Sequence, residues 1–251
     1  MTDLLREIHI FGDREQMADF AIEQWTEICE AAIKNNGYFS AALSGGKTPV
    51  PFYQKLAKKN LLPWDKTHVF IVDERFVPYE SDENNYHMIQ RTLLRHVNIP
   101  QENIHPVRTS GISAEFSAEE YEKDIGSYCK KVHTQEPQFD LIVLGIGEDG
   151  HTASLFPGSP ALKEMGRFAL SVAPLDKQKT ERITLTFPAI NNAGNVMFLV
   201  SGANKAEITK EVIERKTRLL PAAMVRPKKG KLMFIIDKNA GSLLSGRTQS
   251  K

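Results

Sequence analysis

The sequence predicts an α/β protein built on a mainly parallel sheet with helices on both faces. Short apolar runs of strand length recur along the 251-residue chain, and segments with helix caps or helical spacing lie between them. Strands that alternate with helices form βαβ units, so neighbouring strands should run parallel, joined by right-handed crossovers. The expected strands cover residues 8–11, 38–43, 68–73, 141–144, 168–172, 182–187, 195–200 and 232–237.

Helix caps place several segments between these strands. Asp13 followed by Gln16 predicts a capping box, and Gly37 ends the helix that it opens. Ser117 followed by Glu120 predicts a second capping box, which opens the helix before the fourth strand. Further helices are expected at 49–59, with proline in the first turn, at 84–94 and at 206–215.

Length and composition fit one domain and exclude several classes of partner. No linker, composition break or internal repeat divides the chain, so we expect a single domain over 1–244 and a polar, frayed tail over 245–251. The 32 Lys and Arg residues balance 31 Asp and Glu, which gives no electrostatic basis for binding nucleic acid or a membrane surface. No apolar segment approaches the length of a bilayer span.

The cysteines and histidines give no reason to expect a disulfide or a metal. Cys29 and Cys129 fall in predicted helices and have the spacing of neither metal ligands nor a disulfide framework. The histidines are scattered, without the spacing of a metal site. We therefore expect a reduced, cytoplasmic protein that binds no metal.

A glycine-rich turn at residues 145–150 follows one buried strand. Its spacing matches a dinucleotide-binding motif, which also needs a helix directly after it and an acid about twenty positions later. Pro157 and Pro160 leave room for only a short helical turn, and residues 168–171 contain no acid. We therefore expect no nicotinamide cofactor.

His151 directly follows this turn, and Asp149 lies two residues before it. Ligands in open α/β sheets collect past the carboxyl ends of the strands, so His151 should face a pocket. An imidazole titrates near neutral pH and can serve as a general acid or base. From the residues alone, a catalytic and a packed imidazole stay equally open.

A second turn, at residues 44–48, lies between a predicted strand and a predicted helix. Backbone N–H groups and hydroxyls there can surround an anion, although an ordinary tight turn is the alternative. The residues concerned are Ser44, Gly45, Gly46 and Thr48. A nucleotide-hydrolase phosphate loop is excluded, because its first glycine would fall on Ala41.

Charged residues lie at the ends of other predicted strands. Arg182 and Lys205 could each contact a phosphate, although surface cations are usually solvated. Asp73 and Arg75 lie at the carboxyl end of the strand at 68–73, and an acid–base pair in such a place is most often structural.

Together these segments resemble the 6-phosphogluconolactonase family over nearly the whole chain. The motifs that carry the resemblance are 43–46 with Thr48 and Pro49, 73–75 with 84–86, 145–157, 181–184, and 201–202 with Lys205. The resemblance implies the fold shared by glucosamine-6-phosphate deaminases and ribose-5-phosphate isomerases, and no cofactor. It implies hydrolysis of a small sugar phosphate, 6-phospho-D-glucono-1,5-lactone, to 6-phospho-D-gluconate, the second step of the oxidative pentose phosphate pathway.

The resemblance also implies roles for individual residues. His151 would be the general base, with Asp73 and Asp149 as further catalytic candidates. The phosphate would be bound by Ser44, Gly45, Gly46, Thr48, Arg182 and Lys205. The sugar pocket would be lined by Asp73, Arg75, Gly147 and Asp149. It stays open whether Lys47 reaches the ligand, and whether Arg75 serves phosphate or sugar.

The chemistry of lactone opening asks for such an arrangement. It needs an activated water, donors for the oxyanion, and a proton for the departing ring oxygen. Histidine can take the proton from water and return it to the ring oxygen, so no covalent intermediate is needed. The backbone N–H groups of the glycine-rich turn are the expected oxyanion donors.

Two other functions remain as alternatives. In a glucosamine-6-phosphate deaminase, Asp73 would be the enolising base and His151 would help to open the ring. Residues 152–157 read Thr-Ala-Ser-Leu-Phe-Pro, whereas deaminases typically carry Ile-Ala-Phe-Asn-Glu-Pro there. A sugar-phosphate sensor without turnover would need a DNA-binding or effector segment, and the sequence shows none.

Overall fold

This computed structural model describes residues 5–59, 62–111, 113–134, 136–174, 180–214 and 219–245. The strands are β1 (Leu5–Phe11), β2 (Phe39–Leu43), β3 (Thr67–Ile71), β4 (Asp73–Arg75), β5 (Ile104–His105), β6 (Leu141–Leu144), β7 (Ala169–Val172), β8 (Arg182–Leu185), β9 (Asn195–Val200) and β10 (Lys231–Asp237). The α-helices are α1 (Arg14–Asn36), α2 (Val50–Leu56), α3 (Asn85–Thr92), α4 (Ala114–Lys131), α5 (Phe187–Asn191), α6 (Ala206–Ile213) and α7 (Pro221–Met224).

The main sheet has seven strands in the order β1-β10-β9-β6-β2-β3-β5, and each neighbouring pair runs parallel. Every residue of β2, β3 and β6 is buried, because chain covers both faces of the sheet. The predicted α/β class with a mainly parallel sheet is confirmed.

The sequence does not predict the second sheet, in which β4, β8 and β7 pair antiparallel. The segments expected at 168–172 and 182–187 belong to this sheet, so their placement in the parallel series is wrong. The strand expected at 68–73 is also two strands, since β3 ends at Ile71 and β4 opens at Asp73.

Val72 joins the two sheets. Its N–H donates to Leu43 O of β2 over 2.9 Å, and its carbonyl accepts from Leu185 N of β8 over 2.8 Å. A single residue with both backbone groups engaged therefore carries the chain from the main sheet into the second one.

The N-cap at Asp13 predicted for α1 is confirmed, but the Gln16 side chain returns to Gly12 rather than to Asp13 as in a strict capping box. Gln16 N donates to Asp13 Oδ1, and Gly12 N donates to Gln16 Oε1, each over 2.9 Å. Gly37, with φ of 85°, ends this helix in the left-handed conformation that glycine tolerates best.

The capping box predicted at Ser117 is wrong. Ser113 Oγ accepts from Phe116 N over 3.1 Å, so α4 begins at Ala114 and Ser117 is buried inside it. Glu120 instead pairs with Lys123 at 2.8 Å on the exposed face of the helix. Either serine satisfies the local preference, and the earlier one captures the first free N–H groups.

Some predicted bounds also shift. α2 ends at Leu56 rather than at residue 59, and the strand at 182–187 ends early because Phe187 and Pro188 open α5. Residue 215 and residues 246–251 of the predicted tail lie outside the described residues. Within the described part of the chain, no helix is long and apolar enough to cross a membrane.

The cysteines lie in helices, as predicted. Cys29 is in α1 and Cys129 is in α4, and both thiols are free and buried. Burial raises the pKa of the Cys29 thiol to about 12, so it stays protonated and unreactive at neutral pH.

Candidate active site

A cleft of about 640 Å³ opens at the carboxyl edge of the main sheet. β9, β6 and β2 are neighbours in the sheet, so the loops that follow them lie side by side there. All the residues that sequence reasoning assigned to the site line this cleft: Ser44, Gly45, Gly46, Thr48, Asp73, Arg75, Gly147, Asp149, His151, Arg182 and Lys205. Lys47 also lines it, with an exposed side chain.

His151 is oriented by Asp149. The distance from His151 Nδ1 to Asp149 Oδ1 is 2.5 Å, and His151 N donates to the same oxygen over 3.1 Å. A Cβ on Gly147 would lie only 2.1 Å from His151 Nδ1, so the ring can lie against this backbone only beside glycine. Because Nδ1 is occupied, Nε2 is the ring nitrogen left for a ligand.

Asp149 is a carboxylate at neutral pH. Burial acts to raise its pKa, but the hydrogen bonds from the His151 ring and backbone N–H outweigh burial and hold the pKa below its usual value. As an anion, Asp149 can accept hydrogen bonds and so orient the imidazole, but it has no proton to donate.

The turn at residues 145–150 uses its own N–H groups. Gly147 N donates to His151 O over 2.8 Å, and Gly150 N donates to Gly147 O over 3.0 Å. His151 N is engaged by Asp149. The expectation that this turn offers free N–H groups to an oxyanion is therefore wrong for these three residues, because their N–H groups close the turn.

The loop after β2 does offer free donors. Gly46 has a φ of 94°, and among the described residues no hydrogen bond engages the N–H groups of Gly45, Gly46 or Lys47. Successive free N–H groups in a turn attract an anion. The Ser44 hydroxyl already donates to Val143 O over 2.8 Å, so it would have to rotate to reach a ligand.

Thr48 connects this loop to the loop after β9. Thr48 Oγ1 and Ser201 Oγ are 3.4 Å apart. Lys205 follows in the second loop, where burial lowers its pKa and the nearby carboxylates of Glu148 and Asp149 act in the opposite direction. The loops after β2, β6 and β9 thus meet around a single space.

Two arginines face each other across the second sheet. Arg75 of β4 is in register with Arg182 of β8. Like charges directly opposite each other in a sheet are destabilising, unless an anion lies between them. Burial lowers the pKa of Arg182, the Asp73 carboxylate acts in the opposite direction, and the charge of Arg75 lowers it again. This pair is therefore suited to a doubly charged phosphate.

Asp73 lies beside this arginine pair. Its Oδ2 accepts from Ser154 Oγ over 2.7 Å and lies 3.9 Å from Arg182 Nη1. Asp73 is in register with Thr184, whose Oγ1 accepts from Ser154 N over 3.1 Å. The segment after His151 is therefore tied to the second sheet through Ser154.

Asn85 holds the arginine side of the cleft in place. It donates to Asp73 O over 2.6 Å and accepts from Arg75 Nη1 over 2.9 Å. A Cβ on Gly45 would lie 1.8 Å from Asn85 Oδ1, so the glycine is needed for this close approach. Glu74 accepts from the N–H groups of Asn85 and Tyr86 at the start of α3, and burial raises the pKa of Glu74 to about 7.

The described residues contain no group of three or more His, Cys, Asp or Glu side chains placed to bind a metal ion.

Comparison with known proteins decides the family. The model of the family described as glucosamine-6-phosphate isomerases/6-phosphogluconolactonase matches residues 12–234. The chain belongs to this family.

Similar proteins of the family cover nearly the whole chain. A 6-phosphogluconolactonase of Synechocystis sp. is 38% identical over 240 residues, covering 95% of this chain and 98% of that protein. The crystal structure of 6-phosphogluconolactonase from Thermotoga maritima has a TM-score of 0.81 at 35% identity, covering 93% of this chain and 100% of that one. A monomeric glucosamine-6-phosphate deaminase, with a TM-score of 0.78 and 17% identity over 94% of this chain and 99% of that one, shares the fold.

Asn85 and Arg14 are two of the cleft residues that the sequence did not predict. Asn85 stands inside a motif that carries the resemblance, but the close contact with Gly45 becomes visible only in three dimensions. Arg14 lines the cleft from the first turn of α1 rather than from the end of a strand, and no motif marks it.

Proposed function

We propose that the protein hydrolyses 6-phospho-D-glucono-1,5-lactone to 6-phospho-D-gluconate, with His151 as the general base. One observation carries the proposal: a histidine turned by a carboxylate shares its cleft with a loop of free N–H groups and a pair of opposed arginines. The relatives named 6-phosphogluconolactonase support the reaction. It is the second step of the oxidative pentose phosphate pathway.

In the proposed mechanism, water on His151 Nε2 attacks the lactone carbonyl carbon. The imidazole takes one proton from this water, and Asp149 stabilises the imidazolium that forms. The bond between the carbonyl carbon and the ring oxygen then breaks, and the imidazolium returns its proton to that oxygen. Such general acid–base catalysis contributes about 10²- to 10⁴-fold.

Phosphate binding fixes the carbonyl against His151. We assign the phosphate to the loop at 44–48, to Lys205, and to both Arg75 and Arg182, because an anion between the two arginines relieves their repulsion. Binding energy from the distant phosphate positions the reacting atoms.

The phosphate assignment predicts the kinetics of Arg182→Ala. Loss of one charge-assisted contact should raise KM about 10-fold and change kcat little. Steady-state kinetics with the lactone measures both constants. A drop in kcat at constant KM would instead place Arg182 at the reacting atoms.

Two assays on one preparation separate the lactonase from the deaminase. The first measures 6-phosphogluconate formation above the spontaneous rate of lactone opening, and the second measures ammonia release from glucosamine 6-phosphate. We expect turnover in the first alone, because residues 152–157 differ from the deaminase pattern. Ammonia release without lactone hydrolysis would overturn the proposal, and binding of 6-phosphogluconate without turnover in either assay would favour the sensor.

A further inference from the structure

Phe156 contacts two groups of the site from outside the cleft. It lies five residues after His151 and is 4% exposed. Its ring centroid is 4.5 Å from that of the His151 imidazole, at an interplanar angle of 49°. The guanidinium carbon of Arg182 lies over the same ring, 5.5 Å from its centroid.

We propose that Phe156 is a positioning residue that couples the base to the phosphate-binding arginine through the π-face of one ring. The inference rests on the proposed function, in which His151 takes a proton and Arg182 binds phosphate. Phe156 does not line the cleft, so it would act through these two side chains.

Arg182 makes few polar contacts, so its guanidinium is free to lie against the ring of Phe156. Arg182 Nε is buried and has no hydrogen-bond partner within the described residues. The distance from Arg182 Nη1 to Asp73 Oδ2 is 3.9 Å, longer than a direct hydrogen bond. The ring of Phe156 is thus a close contact of a guanidinium that few polar groups hold.

The contact with His151 gains importance during the reaction. An aromatic face attracts cations, and the imidazole becomes a cation only after it takes the proton from water. The ring should therefore stabilise the imidazolium more than the resting imidazole. Phe156 contacts one member of each of two pairs, His151 with Asp149 and Arg182 with Asp73. It attracts the Arg182 guanidinium at all times and the His151 imidazole once that ring is protonated.

This dual contact predicts a split between the kinetic constants. Weakening the π-face should lower kcat through His151 and raise KM through Arg182. A leucine would fill much of the same space without offering a π-face. If Phe156 acted through packing alone, kcat and KM would therefore not depend on the electron density of its ring. Energies typical of such contacts correspond to effects of about 3- to 30-fold.

The test replaces Phe156 with mono-, di- and trifluorinated phenylalanine, which keeps the shape of the ring and progressively withdraws its π-electron density. We expect kcat for 6-phosphogluconolactone to fall and KM to rise with each fluorine, by about 3- to 30-fold in total. Trifluorophenylalanine at Phe139, which is buried against Phe70 and does not line the cleft, is the matched control and should change neither constant.

A second background separates the two contacts. With Arg182→Ala, fluorination at Phe156 should still lower kcat and should no longer raise KM. Unchanged constants across the fluorine series, or equal losses from the Phe139 control, would overturn the inference while the wild-type protein still hydrolyses the lactone. A wild-type protein without lactone hydrolysis would instead overturn the proposed function, and the coupling with it.

Discussion

Two of the histidine–carboxylate pairs among the described residues lie in different surroundings. His151 and Asp149 lie in the cleft, 2.5 Å apart. His105 and Asp124 lie 2.9 Å apart at the edge strand β5, and His105 Nε2 is also 3.1 Å from His68 Nδ1. Both pairs orient an imidazole, but only His151 keeps a ring nitrogen for a ligand. A carboxylate partner alone therefore does not make an imidazole available to a ligand, because the contact of the second ring nitrogen decides this.

The neighbours of the two rings also differ. His105 stacks on Phe70 with a centroid distance of 4.0 Å, and it is 8% exposed. His151 rests against Gly147, and its side chain is 32% exposed. Glycine leaves one side of the His151 ring open to the cleft although Phe156 packs on the ring, whereas His105 is buried against aromatic side chains.

The largest expected effect comes from replacing the histidine of each pair with alanine. His151→Ala should lower kcat at least about 10²-fold with little change in KM, because the general base is lost. His105→Ala should leave kcat within about 2-fold and lower the melting temperature, because packing and hydrogen bonds are lost. Steady-state kinetics and thermal unfolding of both variants check this. Full activity of His151→Ala would move the base to Asp73 or Asp149.

Replacing the carboxylate of each pair with an amide should also affect kcat in the cleft pair alone. Asp149→Asn should lower kcat about 30- to 100-fold, because the amide stabilises neither the productive tautomer nor the imidazolium. Asp124→Asn is the matched control, and its kcat should match that of the wild type. Equal kinetics for both variants would show that Asp149 does not orient the base.

The smallest expected effect concerns pH and the buried pair. Burial, followed by the charge of His105, lowers the pKa of His68 from 6.5 to about 4. The unfolded chain binds this proton below its higher pKa, so the folded state loses stability as pH falls from 6.5 towards 4. We expect a loss of about 2 kcal/mol between pH 7 and pH 5 from this group.

Urea unfolding of the wild type and His68→Gln at both pH values measures this contribution. The variant should have the shallower pH dependence, because glutamine does not titrate. Parallel curves would show that His68 binds its proton equally well in the folded and unfolded chains.

The sequence predicts the parallel sheet and the site residues for a common physical reason. Buried parallel strands are continuous apolar runs, and polar loops at their carboxyl ends must meet at one edge. The second sheet could not be predicted, because residues 68–73 read as one strand and Val72 carries no turn signal. The engagement of the turn N–H groups of Gly147 and Gly150 depends on backbone direction, which residue types do not reveal.

Contacts between residues that are far apart in the sequence could not be predicted either. Asn85 meets Gly45, and Phe156 meets Arg182, across separate elements of the fold. Ser113 and Ser117 both satisfied a local capping rule, and only the packing of α4 decides between them. Residues whose role depends on such contacts need the structure.

The backbone hydrogen bonds of Val72 restrict movement between the two sheets. Its two backbone hydrogen bonds clamp the sheet that presents the 44–48 loop to the sheet that presents the arginine pair. The two sheets that line the cleft are therefore joined at Val72, and they cannot separate there without breaking these bonds. The amide protons of Val72 and Leu185 should accordingly exchange with solvent deuterium only as slowly as the whole molecule unfolds.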